Sequence, residues 1–273
     1  MLREILENVK RTSPLVHNIT NNVTVNDCAN ILIACGGSPI MADDIDEVED
    51  ITTICGGLNI NIGTLNQRTI PAMLAAGKRA NQLSHPIVLD PVGAGASALR
   101  TKTAMELIEH IEFTVIRGNA SEIKTLALGQ GTTRGVDPDL SDSITKDSLE
   151  QAISFAKDFS RKTGSIIAIT GAIDLVAYNE KAYCIYNGHP MMSSITGTGC
   201  QLSALIAAFI TANPDKLLEA TVAAICAMGF CGEKAYKRLK GEDGNASYRN
   251  YIIDAIYNLD GDELERGARY EMY

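Results

Sequence analysis

The sequence predicts an α/β fold of three layers, with helices on both faces of a mainly parallel central sheet. The prediction rests on three short apolar runs, which span residues 86–89, 113–116 and 165–169. Each run ends in a polar loop, and helical patterns separate the runs, notably the pattern over 149–159 that Gly164 ends. Apolar strands that alternate with helices indicate βαβ units, because crossover helices cover both faces of a parallel sheet.

The N-terminal elements follow the same alternation. An amphipathic helix begins the chain, with apolar residues at positions 2, 5, 6 and 9. A short strand over 14–17 then ends in a polar cluster, and we expect the next helix to run to about Ala34. Residues 58–63 alternate apolar and polar side chains, as a strand does. Pro71 suits the first turn of a helix over about 68–83, where its missing N–H costs nothing.

The pattern changes in the C-terminal part of the chain. Residues 174–178 and 181–186 flank a two-residue turn and predict an antiparallel hairpin at the sheet edge. After the hairpin the sequence is nearly all helical, with long apolar-faced segments over about 199–212 and 215–240. A last helix over about 247–258 precedes a charged tail that we expect to be frayed.

Composition and charge exclude several classes of protein. The chain has 273 residues, of which 45% are hydrophobic, so it can bury a sizeable core. It holds 24 Lys and Arg against 33 Asp and Glu, a net charge of −9, and no basic run, which argues against a nucleic-acid partner. With no Trp, five Phe and nine Tyr, a base-stacking surface is not expected either. No apolar run approaches the roughly 20 residues of a membrane span, so we expect no membrane partner.

Neither a repeat nor a linker divides the sequence, so we expect one domain over residues 1–273. The segment 129–143, rich in Gly, Thr, Pro and Asp, is expected to be the least ordered internal part. The seven cysteines show no C-x-x-C spacing, and most lie in apolar context, which is typical of buried thiols in a reducing compartment. The first residues show no signal-peptide pattern. These observations predict a cytoplasmic protein.

Polar residues follow the three apolar runs at the carboxyl ends of the strands, where ligands bind in an open parallel sheet. Asp90 follows the first run, Arg117 the second and Thr170 the third, with Asn119 and Glu122 just after Arg117. Two acids, a guanidinium and a hydroxyl suit a metal–nucleotide site, since carboxylates hold Mg²⁺ and arginine holds phosphate oxygens. The alternative, which each residue alone leaves open, is ordinary turn and capping chemistry.

Residues 196–201 read TGTGCQ and precede an apolar-faced helix. Gly197 and Gly199 let the backbone bring several free N–H groups together at the helix N-terminus, which suits a transferring phosphoryl group. Cys200 falls in the first helical turn, where the helix dipole favours a thiolate. The alternative for Cys200 is a small residue chosen for helix packing. The spacing matches neither a dinucleotide fingerprint nor a Walker A loop.

The four histidines do not indicate a metal site. His17 and His189 lie in loop-like sequence, and His85 and His110 are expected at the surface. None belongs to a Glu-x-x-His or His-x-His pattern, so a structural role is expected for each.

Six short motifs occur together in one order. They are 16–21 (VHNITN), 38–41 (SPIM), 58–64 (LNINIGT), 90–95 (DPVGAG), 117–120 (RGNA) with Glu122, and 196–200 (TGTGC). With this combination, from about residue 14 to 210, the chain resembles hydroxyethylthiazole kinase, a family of the ribokinase-like superfold. The resemblance implies Mg²⁺-dependent transfer of the γ-phosphate of ATP to 4-methyl-5-(2-hydroxyethyl)thiazole, which gives the thiazole phosphate of thiamine salvage. It also implies a homotrimer in which the thiazole site lies between adjacent subunits and the nucleotide binds within one.

The resemblance places the nucleotide and metal contacts on the strand-end residues. By position, Arg117 and Thr170 correspond to ATP contacts. Asp90 and Glu122 correspond to the residues that hold Mg²⁺, directly or through water. Asn21 corresponds to a position near both substrates, ATP and the thiazole alcohol.

The resemblance also implies an acceptor side. Met41 and Gly197 correspond to positions of the thiazole pocket, together with Asn21. The amides of Gly197, Gly199 and Cys200 would neutralise charge on the transferring phosphoryl group. Cys200 stands where most ribokinase-like enzymes carry an aspartate base, and this family characteristically has cysteine there. A cysteine thiol has a pKa of about 8.5, so its thiolate could accept the alcohol proton if the helix dipole lowers that pKa, whereas nearby carboxylates oppose this.

Two other functions are compatible with parts of the sequence. One is another ribokinase-like enzyme, a hydroxymethylpyrimidine kinase or an ATP-dependent NAD(P)H-hydrate dehydratase. An aspartate in place of Cys200 would favour that enzyme, and the motif over 18–21 disfavours it. The other is a catalytically silent nucleotide- or thiazole-binding regulator, against which the intact set of polar site residues argues.

Overall fold

The computed structural model describes residues 1–129, 144–145 and 147–273. The expectation for 129–143 therefore falls outside the described residues, apart from residue 129 itself. The strands are β1 (Leu15–Ile19), β2 (Ser38–Met41), β3 (Gly57–Asn61), β4 (Ile87–Asp90), β5 (Val115–Asn119), β6 (Ile166–Thr170), β7 (Asp174–Tyr178), β8 (Lys181–Ile185) and β9 (Tyr270–Met272). These described strands form one sheet with the order β2-β1-β3-β4-β5-β6-β7-β8-β9.

Helices connect most of these strands. They are α1 (Leu2–Thr12), α2 (Val25–Cys35), α3 (Val48–Ile54), α4 (Thr69–Gln82), α5 (Ala98–His110), α6 (Ala120–Gly129), α7 (Leu149–Thr163), α8 (Thr198–Ala212), α9 (Leu217–Arg238), α10 (Asn245–Asn258) and α11 (Gly261–Gly267). Short 3-10 helices span Pro190–Ser194 and Pro214–Lys216. No helix in the described ranges is both long and apolar enough to cross a membrane.

The sheet is parallel from β2 to β6 and antiparallel from β6 to β9. The three apolar runs of the sequence form β4, β5 and β6, whose residues are almost all buried. The predicted hairpin forms β7 and β8, which turn at Asn179 with a φ of 50°. The predicted class, a mainly parallel α/β sheet with antiparallel strands at one edge, is confirmed.

Two hydrophobic clusters lie on opposite faces of the sheet. Helices α1, α2, α8, α9 and α10 pack on one face, and α3 to α7 pack on the other. Helix α8 is buried on every side from Cys200 to Ile210, because it lies between the sheet and the outer helices of its layer. The position of α8 is therefore fixed by packing along almost its whole length.

The two ends of the described chain pack together. Helix α1 contacts α8, α9 and α11 through its buried apolar stripe. Its Arg3 Nη1 lies 2.8 Å from Asp262 Oδ1, and Asn8 Nδ2 donates to Asn213 Oδ1 at 2.8 Å. The first helix thus makes contacts with residues that lie more than 200 positions later in the sequence.

The C-terminal tail differs from the frayed state that we expected. It forms α11 and β9, and β9 pairs antiparallel with β8. The Tyr273 N–H donates to the Ala182 carbonyl at 2.8 Å, and the Ala182 N–H donates to the Tyr273 carbonyl at 3.0 Å. Without β9, β8 would expose a row of unpaired backbone groups at the sheet edge. Pairing with β8 therefore orders a segment whose own sequence is charged and irregular.

His17 also differs from its loop-like prediction. It lies within β1 and is fully buried. Its Nδ1 is 3.0 Å from Thr52 Oγ1, and its Nε2 is 2.9 Å from the Ala42 carbonyl oxygen. Burial lowers the pKa of His17, so its imidazole is neutral and joins β1 to α3 and to the segment after β2.

Candidate active site

Four neighbouring parallel strands place polar residues at the same edge of the sheet. Asn61 ends β3, Asp90 ends β4, Arg117 lies in β5 and Thr170 ends β6. The strand register sets Asn61 beside Asp90, and Asn119 of β5 beside Thr170. The strand-end residues that the sequence predicts as a site therefore lie together, at the edge where open parallel sheets bind ligands.

Asp90 is fully buried, and both of its carboxylate oxygens have polar partners. Its Oδ2 accepts from Asn61 Nδ2 at 2.8 Å and from Ser203 Oγ at 2.9 Å. Its Oδ1 lies 3.5 Å from Arg117 Nη1. Burial raises the pKa of Asp90 to about 6, and the Glu122 charge adds to the rise. The Arg117 charge and the two hydrogen bonds oppose it. A cation at this carboxylate would favour its ionised form.

The Arg117 guanidinium lies between the ends of β4 and β6. Its Nη2 donates to Thr170 Oγ1 at 2.6 Å, and its Nη1 faces Asp90. The residue is only 9% exposed, yet its Nε has no hydrogen-bond partner within the described residues. A buried guanidinium with an unpaired N–H retains donors for phosphate oxygens.

Glu122 joins two loops of this edge. Its Oε2 accepts from the Asn119 N–H at 2.8 Å, and Asn119 Oδ1 accepts from the Glu122 N–H at 2.9 Å. This reciprocal pair is a capping box at the start of α6. Glu122 Oε1 accepts from the Gly93 N–H at 2.8 Å, which holds the loop after β4. Each oxygen keeps a second lone pair, so these bonds are compatible with a role toward a cation.

Helix α8 begins at the same edge. Gly197 is its N-cap, with a φ of +87°, and no side chain of the described residues caps its first amides. A Cβ at Gly197 would clash with Thr24 Cγ2, and a Cβ at Gly199 would lie 2.5 Å from Arg117 Nη1. Gly197 therefore favours glycine through both its positive φ and its contact with Thr24, whereas a side chain at position 199 would displace the Arg117 guanidinium. The close approach sets helix N–H donors beside a cation, which is an arrangement that binds anions.

Cys200 lies in the first turn of α8, as predicted, and its side chain is buried. Its Sγ is 3.1 Å from Asn21 Nδ2, which donates to it. Burial raises the pKa of Cys200, the Asp90 charge adds to the rise, and hydrogen bonds with Thr24, Asn61 and Asn21 oppose it. The balance that the sequence leaves open therefore favours the thiol over the thiolate in the free protein.

The carboxylates of this edge fit a magnesium ion. The described residues contain no group of three or more His, Cys, Asp or Glu side chains that could hold a metal. Mg²⁺ does not need such a group, because it binds through one or two carboxylates and keeps water and phosphate oxygens as its other ligands. Asp90 and Glu122 are such a pair, and Glu122 raises the pKa of Asp90. A divalent cation would relieve their repulsion.

Met41 lies apart from this network. It ends β2, at the edge of the sheet, and pairs in register with Asn18 of β1. Strands β1 and β3 separate it from β4 and Asp90. Its half-buried side chain packs against the hydrophobic cluster that also contains Cys200. The structure thus brings the other predicted residues together and leaves Met41 with two strands between it and β4.

Two side chains of the site have no role in the sequence prediction. Asn61 and Ser203 both hold the Asp90 carboxylate. For Asn61 the usable signal is the alternation of β3, which places Asn59 and Asn61 on one face of a buried strand. For Ser203 the signal is its spacing of three residues from Cys200, which puts both on one side of α8.

Known sequences are similar to this chain along almost its whole length. Residues 6–262 match the model of the hydroxyethylthiazole kinase family. A hydroxyethylthiazole kinase of Clostridium acetobutylicum is 67% identical over 273 residues, which cover 100% of both chains. That of Desulfovibrio desulfuricans is 47% identical and covers 98% of this chain and 96% of its own.

Solved structures give the same result. A hydroxyethylthiazole kinase protein from Pyrococcus horikoshii matches with a TM-score of 0.88 and 34% identity, over 100% of this chain and 98% of that one. The pyridoxal kinase of Staphylococcus aureus in complex with ADP matches with a TM-score of 0.63 and 15% identity, over 95% of this chain and 97% of its own. That second likeness supports the predicted ribokinase-like architecture alone. The match to the family over residues 6–262 and the high identity to its members show that the chain belongs to the hydroxyethylthiazole kinase family.

Proposed function

We propose that this chain transfers the γ-phosphate of ATP to the primary hydroxyl of 4-methyl-5-(2-hydroxyethyl)thiazole, forming the thiazole phosphate used in thiamine biosynthesis. The main structural support is the close approach of Gly199 to the Arg117 guanidinium. This approach places the positive charge of Arg117 beside the uncapped N-terminus of α8. The combination suits the binding of a phosphoryl group during its transfer. Membership of the family supports the choice of acceptor.

The nucleotide side of this site consists of strand ends. Arg117 and Thr170, which are bonded to each other at 2.6 Å, would bind phosphate oxygens of ATP. The first amides of α8 would face the transferring phosphoryl group. Asp90 and Glu122 would hold Mg²⁺, which supplies charge neutralisation on the phosphate oxygens. Phosphoryl transfer needs little covalent chemistry from the protein, so positioning by these groups accounts for most of the catalysis.

The acceptor side consists of Cys200, Asn21 and Gly197. The alcohol must lose its proton as the new O–P bond forms, and Cys200 would take part in that transfer. Because burial and Asp90 raise the pKa of Cys200, only a small fraction of Cys200 is thiolate at neutral pH, and that thiolate is the form that accepts the proton. In a loose transition state the proton leaves late, so the reaction depends only modestly on how much thiolate is present.

We propose that a neighbouring subunit of a homotrimer completes the thiazole pocket. The family resemblance implies this arrangement, and exposed apolar side chains close in sequence to two predicted pocket residues support it. Val23, two residues after Asn21, is 65% exposed, and Ile45, four residues after Met41, is 48% exposed. Covering these apolar side chains with a second copy of the chain would remove them from water.

We also propose that the reaction takes place in the cytoplasm and that residues 1–273 form one domain. All seven cysteines are unpaired and buried, which is typical of proteins in a reducing compartment. One sheet runs through the described residues with a hydrophobic cluster on each face, which supports a single domain.

A coupled assay of ADP release tests the proposed reaction. With Mg²⁺ and ATP, the purified protein should release ADP when the thiazole alcohol is added, and mass spectrometry should find the thiazole phosphate. Release with a hydroxymethylpyrimidine instead would contradict the choice of acceptor. Binding of ATP without release on either alcohol would favour a silent binding protein or a dehydratase acting on a hydrated nicotinamide cofactor.

A further inference from the structure

Asn61 lies between the two halves of the proposed site. It ends β3 and is 1% exposed. Its Nδ2 donates to Asp90 Oδ2 at 2.8 Å. Its Oδ1 accepts from Asn21 Nδ2 at 3.1 Å and from the Gly63 N–H at 2.9 Å. One end of the amide therefore holds the metal-side carboxylate, and the other end holds the asparagine of the acceptor side.

The orientation of the Asn61 amide follows from its partners. If its oxygen and nitrogen exchanged places, the oxygen would face the Asp90 carboxylate. The NH₂ group would then face two donors, Asn21 Nδ2 and the Gly63 N–H. Each of the three contacts would become repulsive, so one orientation alone satisfies them all.

Asn21 is fixed in turn by Asn61 and by its own loop. Its Oδ1 accepts from the Val23 N–H and from the N–H and hydroxyl of Thr24, all at 3.1 Å. Its Nδ2 donates to Asn61 Oδ1 and to Cys200 Sγ, both at 3.1 Å. Because the loop holds the oxygen and Asn61 holds one N–H, the second N–H is left to point at the sulfur.

We propose that Asn61 is a positioning residue for phosphoryl transfer: it holds the Asp90 carboxylate and, through Asn21, the Cys200 sulfur in fixed places on the two sides of the reacting groups. This inference rests on the proposed roles of Asp90 and Cys200. A misplacement of about 1 Å between reacting groups can cost roughly 100-fold in rate, so a rigid link between the two sides acts on turnover as well as on folding.

The variant Asn61→Ala tests the proposal, with Asn59→Ala as its matched control. Asn59 is fully buried on the same face of β3, and its Nδ2 donates to Asn18 instead of to the site. We expect Asn61→Ala to lower kcat about 10- to 100-fold, the usual range for residues that hold ligands in place. The KM for the thiazole alcohol should change less than about threefold, because Asn61 is only 1% exposed and offers little surface to a bound substrate. Asn59→Ala should keep kcat within about twofold of the native value. Its shift in Tm should be similar to that of Asn61→Ala.

Two further measurements separate positioning from folding. In a Cys200→Ala background, Asn61→Ala should cost a smaller factor in kcat than in the native background, because Asn21 then has no sulfur to hold. A purely structural role gives the same factor in both backgrounds. Asn61→Asp keeps the shape of the side chain and its acceptor oxygens but loses the donor to Asp90, and its kcat should also fall about tenfold or more.

Equal kcat losses in the Asn61→Ala and Asn59→Ala variants, or unchanged kcat in Asn61→Ala and Asn61→Asp, would overturn the role of Asn61. Failure of the proposed site gives a different result. If Cys200→Ala and Asp90→Ala both keep full activity, the roles on which the inference rests are wrong. If those two variants lose activity and the Asn61 variants do not, the site stands and Asn61 has no positioning role.

Discussion

Asp90 is a residue at which activity and stability favour different side chains. It is fully buried, and burial raises its pKa from the ordinary 3.8 to about 6. The folded protein without metal therefore binds this proton more tightly than the unfolded chain does. The stability that protonation gives is fully present below pH 3.8 and is lost as the pH rises through 6. At neutral pH the ionised carboxylate costs about 3 kcal/mol of folding free energy.

Asp90→Asn should accordingly raise stability and lower activity. With EDTA present, thermal melts should show a higher Tm than the native protein at pH 7.5, because the variant does not bury a charge. The difference should shrink at pH 5, where the native Asp90 is protonated. In the presence of Mg²⁺, kcat should fall roughly 100-fold. A variant less stable than the native protein at pH 7.5 would show that ionised Asp90 carries no penalty.

Two substitutions of Cys200 should have different effects on kcat. Cys200→Ala should lower kcat about 10- to 100-fold, because no side chain then accepts the alcohol proton. Cys200→Asp should keep or raise kcat at pH 7.5, because a carboxylate is ionised there whereas the thiol, whose pKa burial and Asp90 raise, is protonated. Steady-state kinetics checks both variants. Cys35→Ala is the control, since Cys35 is a buried thiol of α2 that donates to the Leu32 carbonyl, and it should keep kcat. An unimpaired Cys200→Ala enzyme would exclude a proton-accepting role.

The residues of the site could be predicted from sequence only where the signal is local. Asp90, Arg117 and Thr170 could be placed at one edge because each follows an apolar run directly. The role of Asn61 could not, since it depends on the register that sets β3 beside β4, and local sequence does not determine that register. The protonation of Cys200 depends in the same way on neighbours from distant parts of the chain.

At the scale of elements, helix α8 connects the fold to the site. Its buried length fixes the helix against the sheet, so its N-terminus is held at the strand ends. Helix α8 and the strands β4 and β6 could be predicted because most of their residues are apolar and buried. Helix α3 has seven residues, of which only Val48 and Thr52 are buried, and β9 has three residues with one half-buried. Elements with so few buried residues show no clear hydropathy pattern, and tertiary partners decide whether they form.

Gly199→Ala should disturb the junction of α8 with the sheet. The new Cβ would lie 2.5 Å from Arg117 Nη1 and 2.8 Å from its Nη2, so the guanidinium must move. We expect the KM for ATP to rise and kcat to fall, each about tenfold or more. Gly241→Ala is the control, because a Cβ there meets no described atom within 4 Å, and its kinetics should be native. A native KM for ATP in Gly199→Ala would show that this close approach has no part in nucleotide binding.

At the scale of the whole molecule, a protein of net charge −9 is proposed to bind ATP, which is itself a polyanion. The structure is compatible with this because Arg117 and the N-terminus of α8 are concentrated at one edge of the sheet. The subunit arrangement is the part of the whole-molecule prediction that follows from resemblance alone. Patterns within one chain describe how it folds on itself, whereas an interface between copies leaves only exposed apolar residues such as Val23 and Ile45.

A charge at the proposed interface should separate thiazole binding from ATP binding. The native protein should have a mass of three times 29.3 kDa by light scattering. Ile45→Lys should shift it toward monomer and raise the KM for the thiazole alcohol about tenfold or more, while the Kd for ATP, which binds within one subunit, stays native. Tyr257→Lys, at an exposed position of α10, should change neither. A monomeric Ile45→Lys protein with a native KM for the alcohol would contradict a pocket shared between subunits.

The packing of α1 against late elements has a consequence for protein synthesis. Asn8 and its partner Asn213 are 205 residues apart, and Arg3 and Asp262 are 259 residues apart. A ribosome that adds about 5–20 residues per second needs roughly 10–40 s to make 205 residues. During that interval the apolar stripe of α1 lacks these partners, so we expect it to be accessible to a chaperone. Nascent chains arrested before residue 198 should be cut by protease within α1, and chains extended past residue 267 should be protected there.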